Sequence, residues 1–347
     1  MKTLWTYDLK GARSVTQRSP IASQGQIIVT MNHGQENRQG SISALCLESG
    51  KVNWRYDRPH VFSQPVIAND GSVLATGFDG VAHKIGLDGQ LRWSVGVSER
   101  NLWSGLLEAG KFFFSEIGGG SDSTWALDAG TGEIDWRYKN GGHSYGMTVD
   151  RAKSIIVSSA AGSMDKVVYS LHSVDITSGL KNWTTAYRQI LFRPTVYRNW
   201  IIVGSRGRIA AFDLADGSLA SDIEIGEGAD FRYSVFSCND QFFLATDQGH
   251  IVALNMEHSR GFFGRGKISL SLVWQVHLRS PIEFFGMDDG LLTCVTKTGD
   301  LHLIDPNDRS RTENVKLPRF NSGMGVTRVA DQGFVMAVNR SCSRVEL

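Results

Sequence analysis

One short hairpin, written several times over, limits what this chain can fold into. Residues 124–138 read TWALDAGTGEIDWRY. Trp125-Ala126-Leu127-Asp128 reads as one strand, residues 129–132 as a turn, and residues 133–138 as a return strand alternating apolar with polar. Gly132 supplies the positive φ that such a turn needs. The same phrase recurs as SALCLESGKVNWRY at 43–56, AHKIGLDGQLRWSV at 82–95 and SLHSVDITSGLKNWTTA at 170–186. A unit of this size cannot bury its apolar face alone, so it stacks against copies of itself.

Each unit opens on a short entry segment ending at Pro or Gly. An apolar strand, a polar turn and a second strand rich in β-branched or aromatic residues follow, and then the hairpin. The hairpin anchors fall at Trp5, Trp54, Trp93, Trp136, Trp183, Ile223, Trp274 and Val315. Divided by eight, the 347 residues give units of about 43, the size of a four-stranded propeller blade. The last unit holds only three strands, and its fourth stands at the other end of the chain, where Trp5-Thr6-Tyr7-Asp8 matches the outer strands NWRYD and DWRYK. The expectation is an all-β chain: one eight-bladed β-propeller domain over 1–347, with four antiparallel strands per blade. The blades fall near 11–57, 58–96, 97–139, 140–187, 188–226, 227–278, 279–317, and 318–347 closed by the N-terminal strand 1–10. One Trp per blade at an equivalent place reads as packing between blades rather than a ligand cage.

Composition narrows the function classes. A net charge of +1 with 20% charged residues gives no basic surplus for nucleic acid. No apolar run has the length of a signal peptide or a membrane span, so the sequence as written reads as a cytoplasmic protein without membrane insertion, or a periplasmic one whose leader has been removed. Cys46, Cys238, Cys294 and Cys342 are scattered without a CxxC, which predicts free thiols and no zinc site.

The units resemble pyrroloquinoline-quinone-type repeats, whose pattern runs from SPV through a turn and a strand to AlD-x-x-TG-x-x-x-W. The likeness covers essentially the whole chain and is tightest in the first four units. That superfamily includes quinoprotein dehydrogenases and the propeller lipoprotein of the outer-membrane barrel-assembly machinery; WD-repeat proteins share the architecture. The resemblance implies that a quinone enzyme would carry an adjacent cysteine pair and a calcium site. This sequence has no CC and no assignable Asp/Glu/Asn calcium cluster. GxSxG, HExxH and P-loop motifs are missing too, and no GxGxxG stands between a strand and a helix. No catalytic residue, metal site or cofactor is therefore expected.

The entry segments carry the informative side chains. The two residues before each innermost strand are Arg18-Ser19, Ser63-Gln64, Trp103-Ser104, Ser144-Tyr145, Phe192-Arg193, Arg232-Tyr233, Arg279-Ser280 and Asn321-Ser322, with Arg100, His143 and Arg319 close by. Propeller topology puts these positions at the channel mouth, beside long loops at 32–41, 116–123 and 159–165. The candidate partner-binding set is Arg18, Gln64, Arg100, Trp103, His143, Tyr145, Phe192, Arg193, Arg232, Tyr233, Arg279 and Arg319. Arg and aromatic residues dominate binding hot spots, and no acid stands in either aligned column. The plain alternative is a polar rim holding water. An insertion at 257–267 in the sixth unit offers a second-face candidate in Phe262, Phe263 and Arg265, or a segment folded back under its blade.

The expected function is a monomeric, non-catalytic scaffold or inhibitor that binds another protein through an acidic surface. The competing reading is a small-molecule binder or quinone-dependent enzyme using the central channel.

Overall fold

The computed structural model describes residues 2–8, 14–15, 19–32, 39–118, 122–150, 153–163, 166–226, 230–238, 240–260, 266–288, 290–308, 312–317, 324–329, 333–338 and 341–346. Among them every regular element is a strand, and no helix is long and apolar enough to cross a membrane. The strands form eight antiparallel sheets in chain order, seven of four strands and one of five, which are the blades of an eight-bladed β-propeller. The fifth strand of blade one is the two-residue Ser14–Val15, paired with the end of Gln26–Asn32. Blade eight combines Met324–Val329, Gly333–Val338 and Ser341–Glu346 with the N-terminal strand Lys2–Asp8, as the repeat count requires.

The chain divides into two compact units. The first holds residues 1–119, 123–137 and 319–347; the second holds 120–122 and 138–318. Within each, the second and third strands of every blade are nearly continuous runs of buried residues, because neighbouring blades cover both their faces. Outer strands alternate instead, as in Val52–Arg58 and Leu91–Gly96.

The repeated Trp and the hairpin glycine turn out to be one device. In the first unit the Trp5 indole N–H donates to the Leu47 carbonyl at 2.8 Å, Trp54 to Leu87 at 2.8 Å, and Trp93 to Ala129 at 3.4 Å. In the second, Trp183 donates to Leu214 at 3.1 Å. Each ring lies flat on the turn glycine of the following blade. A β-carbon there would fall 2.6 Å from Trp5 at Gly50, 2.6 Å from Trp54 at Gly89, 2.8 Å from Trp93 at Gly132, and 2.5 Å from Trp183 at Gly217. These glycines have φ near +70 to +80°, so both the turn and the indole exclude any other residue. The turn aspartates complete the motif: Asp128 Oδ1 accepts from the backbone N–H of Gly130 and Thr131, and Asp175 from Thr177 and Ser178.

Blade five lacks the Trp, and the insertion of blade six compensates. Strands His250–Arg260 and Gly266–His277 pair with each other beyond the rest of their sheet. Met256, Ile268 and Leu270 are buried against Ala220, Ile223 and Ile225 of blade five, and the Leu270 N–H donates to Ser221 Oγ at 3.1 Å. Truncating Ile268 or Leu270 to Ala should cost about 2–5 kcal/mol in denaturant unfolding, as for core aliphatics. An arm standing free in solvent would show changes within about 0.5 kcal/mol.

Two expectations change. Residues 159–163 are not loop: strand Ser154–Ser163 pairs with Lys166–Asp175 as far as Ser163↔Lys166, because Val167 and Val168 sustain the ladder. Trp103 and Tyr145 sit inside strands Asn101–Glu108 and His143–Asp150 rather than in connections. The four cysteines are free; burial raises the Cys294 thiol pKa and pushes Cys342 up to about 12.

Two buried histidines make the core acid-sensitive. His83 lies edge-on to Phe62 at 5.5 Å, and His172 is hydrogen-bonded to Ser159 Oγ at 2.7 Å through Nε2 and to Tyr138 Oη at 3.0 Å through Nδ1. Desolvation lowers both pKa values to about 4. A folded-state pKa below the unfolded value means that the unfolded chain binds more protons between roughly pH 6.5 and 4. Stability is therefore full above that window and falls through it on acidification, with a slope of up to about 1.4 kcal/mol per pH unit for each histidine. Denaturant midpoints from pH 7 to 4 should show this decline. His172→Asn should make it about half as steep, since His83 still contributes, and an unchanged slope in that variant would contradict the assignment.

Candidate protein-binding face

In the second unit the entry positions of blades four to seven are joined by a run of contacts. His143 and Tyr145 stand on the first strand of blade four with ring centroids 4.9 Å apart, and Tyr145 meets Phe192 of blade five edge-on at 6.2 Å. His143 Nδ1 lies 4.0 Å from the buried carboxylate of Asp122. The backbone irregularity between Ser144 and Gly146 opens space for the next blade's arginine. A β-carbon at Gly146 would lie 2.9 Å from Arg193 Cγ, so the glycine is the bed on which the Arg193 stem rests. Ser158 Oγ fixes this entry by donating to the Phe192 carbonyl at 2.7 Å. Beyond Arg193 comes Tyr233 of blade six, whose hydroxyl donates to the Ile282 carbonyl of blade seven at 2.5 Å.

Arg193 keeps its side chain exposed to solvent. The lost hydration lowers its pKa, and only the Tyr233 phenol lies near enough to act on it by charge. No carboxylate pairs with it among the described residues. Burial raises the pKa of Tyr233 well above the ordinary phenol range, so that group stays neutral. Arg279 is exposed at the entry of blade seven and holds a left-handed φ of 56°. Such a backbone fixes the direction in which the chain enters the blade.

Arg232 departs from expectation. No acid stands in its aligned column, yet Asp230, two residues earlier, accepts from Arg232 Nη2 at 2.7 Å and from Arg206 Nε at 3.2 Å. Asp247 Oδ2 lies 3.5 Å from Arg232 Nε. The hydrogen bond that Arg232 donates to Asp230 is the main reason that its pKa rises. Arg232 is thus neutralised in place, and among the described entry residues of these blades Arg193 and Arg279 are the arginines outside this network. Asp230, Asp247 and Arg206 escaped sequence reasoning because they lie outside the two aligned columns; the only signal was the Asp-Phe-Arg spacing at 230–232.

In the first unit, Gln64 Nε2 donates to the Ser19 carbonyl at 3.1 Å, Trp103 packs on Phe78 at 5.8 Å, and Arg100 is half-buried. These residues tie entry segments to neighbouring blades. Arg18, Arg319, Phe262, Phe263 and Arg265 lie outside the described residues. Ser159 and His172 resemble a nucleophile–base pair at 2.7 Å, but both are buried and no carboxylate stands behind the imidazole. Among the described residues, no three His, Cys, Asp or Glu side chains gather into a metal-holding group.

A family model described as outer membrane protein assembly factor BamB matches residues 2–105 and 79–314. Among solved structures, BamB from Moraxella catarrhalis is 13% identical, covers 100% of this chain and 99% of its own, and has a TM-score of 0.71. A europium-containing methanol dehydrogenase is 13% identical over 97% of this chain and 84% of its own, with a TM-score of 0.69. The C-terminal WD40 domain of Sif2 is 9% identical over 100% and 99%, with a TM-score of 0.73. At these identities the likeness is one of fold. No curated protein matches the sequence significantly.

Proposed function

The chain belongs to the family described as outer membrane protein assembly factor BamB, and on that premise we propose that it is a non-catalytic protein-binding scaffold. It holds an acidic segment of a partner against blades four to seven of its second unit. The observation that carries this reading is Arg193, an exposed cation whose stem rests on Gly146 beside the Tyr145–Phe192 ring pair, near Tyr233 and with no carboxylate of its own among the described residues. An unpaired guanidinium offers an incoming carboxylate a charge-assisted, bidentate partner without an existing ion pair to break. The aromatic rings supply rigid apolar area beside the charge, the pairing found at interface hot spots.

The family description ties the reading to outer-membrane protein assembly, so the proposed partner is a protein of that assembly and the proposed compartment is the periplasm. A photo-crosslinking residue at Tyr145, with a second at Leu219 on an outer strand, tests this in the native host. Discrete adducts to one protein from position 145 and none from 219 are expected. Adducts only from 219, or from neither, would contradict the choice of face. Absorbance of protein purified from the host separates the competing enzyme reading: the scaffold predicts only the Trp and Tyr bands, a quinone enzyme an additional chromophore.

A further inference from the structure

Blade six carries a pair of side chains that its sister blades do not. The third strand of each blade begins opposite the end of the fourth, and the residues facing each other there are complementary in blades five and seven. Arg208 faces Glu224 and Asp300 faces Lys316; the first pair bonds directly and the second bonds at 2.9 Å. The equivalent residues of blade six are His250 and His277, also direct cross-strand partners. Their rings stack with centroids 4.2 Å apart and planes within 9°. Two identical imidazoles held face to face gain little from each other and repel once both are protonated.

Each ring has one nitrogen engaged and one to spare. His250 Nδ1 lies 2.8 Å from Gln275 Nε2, and His277 Nε2 lies 3.3 Å from the Gln248 carbonyl. No bond is made by His250 Nε2 or His277 Nδ1 among the described residues. Gly249, with φ 99°, turns the chain tightly between Gln248 and His250 and brings that carbonyl beside the rings.

We propose that His250 and His277 form a surface site for one borderline divalent cation of the Zn2+, Ni2+ or Cu2+ class, with oxygen from Gln248 or Gln275 and water completing the shell. Neutral imidazole is the preferred protein ligand of these ions, and affinity among them should follow the order Zn2+ below Cu2+. Two imidazoles on adjacent antiparallel strands act as a chelate, because the sheet has already fixed their separation. A modest rotation of each ring out of the stack brings two nitrogens onto one ion. The cation turns a repulsive pair into a cross-link between the third and fourth strands of blade six.

The test is isothermal titration of the full chain, stripped with chelator, with CuCl2 and separately with ZnCl2, alongside melting curves in each salt. One equivalent should bind, with copper the tighter, and the melting temperature should rise with metal concentration. His277→Ala and His250→Ala should each weaken binding at least about tenfold and abolish the melting shift. His302→Ala, which leaves this pair intact, should bind as the parent does. Equal binding in the parent and in His250→Ala, or no heat above the variants' level, would overturn the proposal. Circular dichroism of the variants separates loss of ligand from loss of fold.

Discussion

Removing residues 1–8 should lower unfolding stability by at least about 3–5 kcal/mol, the loss expected for one buried Trp alone. Trp5 is buried, donates its indole N–H to Leu47 at 2.8 Å and covers Gly50. The strand that carries it, Lys2–Asp8, runs antiparallel to Ser341–Glu346, so its loss also bares a sheet edge prone to pairing with other chains. A loss of this size is a large part of the net stability of an ordinary domain. The truncated chain is therefore expected to aggregate or to unfold at markedly lower denaturant, and Trp5→Phe, which keeps the ring contact but not the hydrogen bond, to fall in between. A truncated chain with the full-length midpoint would show that blade eight does not depend on its N-terminal strand.

The hairpin pattern made the fold legible because it is local. Asp128, Gly132 and Trp136 stand at fixed spacings within a few residues, and repetition reveals the blade number even where Ile223 or Val315 replaces the Trp. What compensates for a replaced Trp is not local. Met256, Ile268 and Leu270 reach blade five from an insertion in blade six, and nothing at Ile223 announces them. Charge was hard to read for the same reason. Arg193 and Arg232 both stand at blade entries in the sequence, but Asp230 and Asp247 neutralise only the second. His250 and His277 are far apart in sequence and meet only through strand register. Sequence reasoning found the entry positions of blades four to seven; their pairing into a charged, aromatic strip with two unequal arginines is a product of packing.

Partner affinity should fall most when the two arginines outside the Asp230 network reverse sign. Arg193→Glu with Arg279→Asp is the informative double variant. Asp tolerates the left-handed backbone at 279 better than Glu, and the Arg193 stem rests on Gly146 without a pair to break. Arg232→Gln serves as the contrast, since it leaves the buried Asp230 with one fewer cation and should cost stability more than binding. The direct measurement is a titration of the parent and the double variant with the protein crosslinked from position 145, at low and high salt. At least a tenfold loss, about 1.4 kcal/mol, is expected at low salt and a smaller one at high salt. Equal affinities for a folded double variant at both salt concentrations would contradict the account.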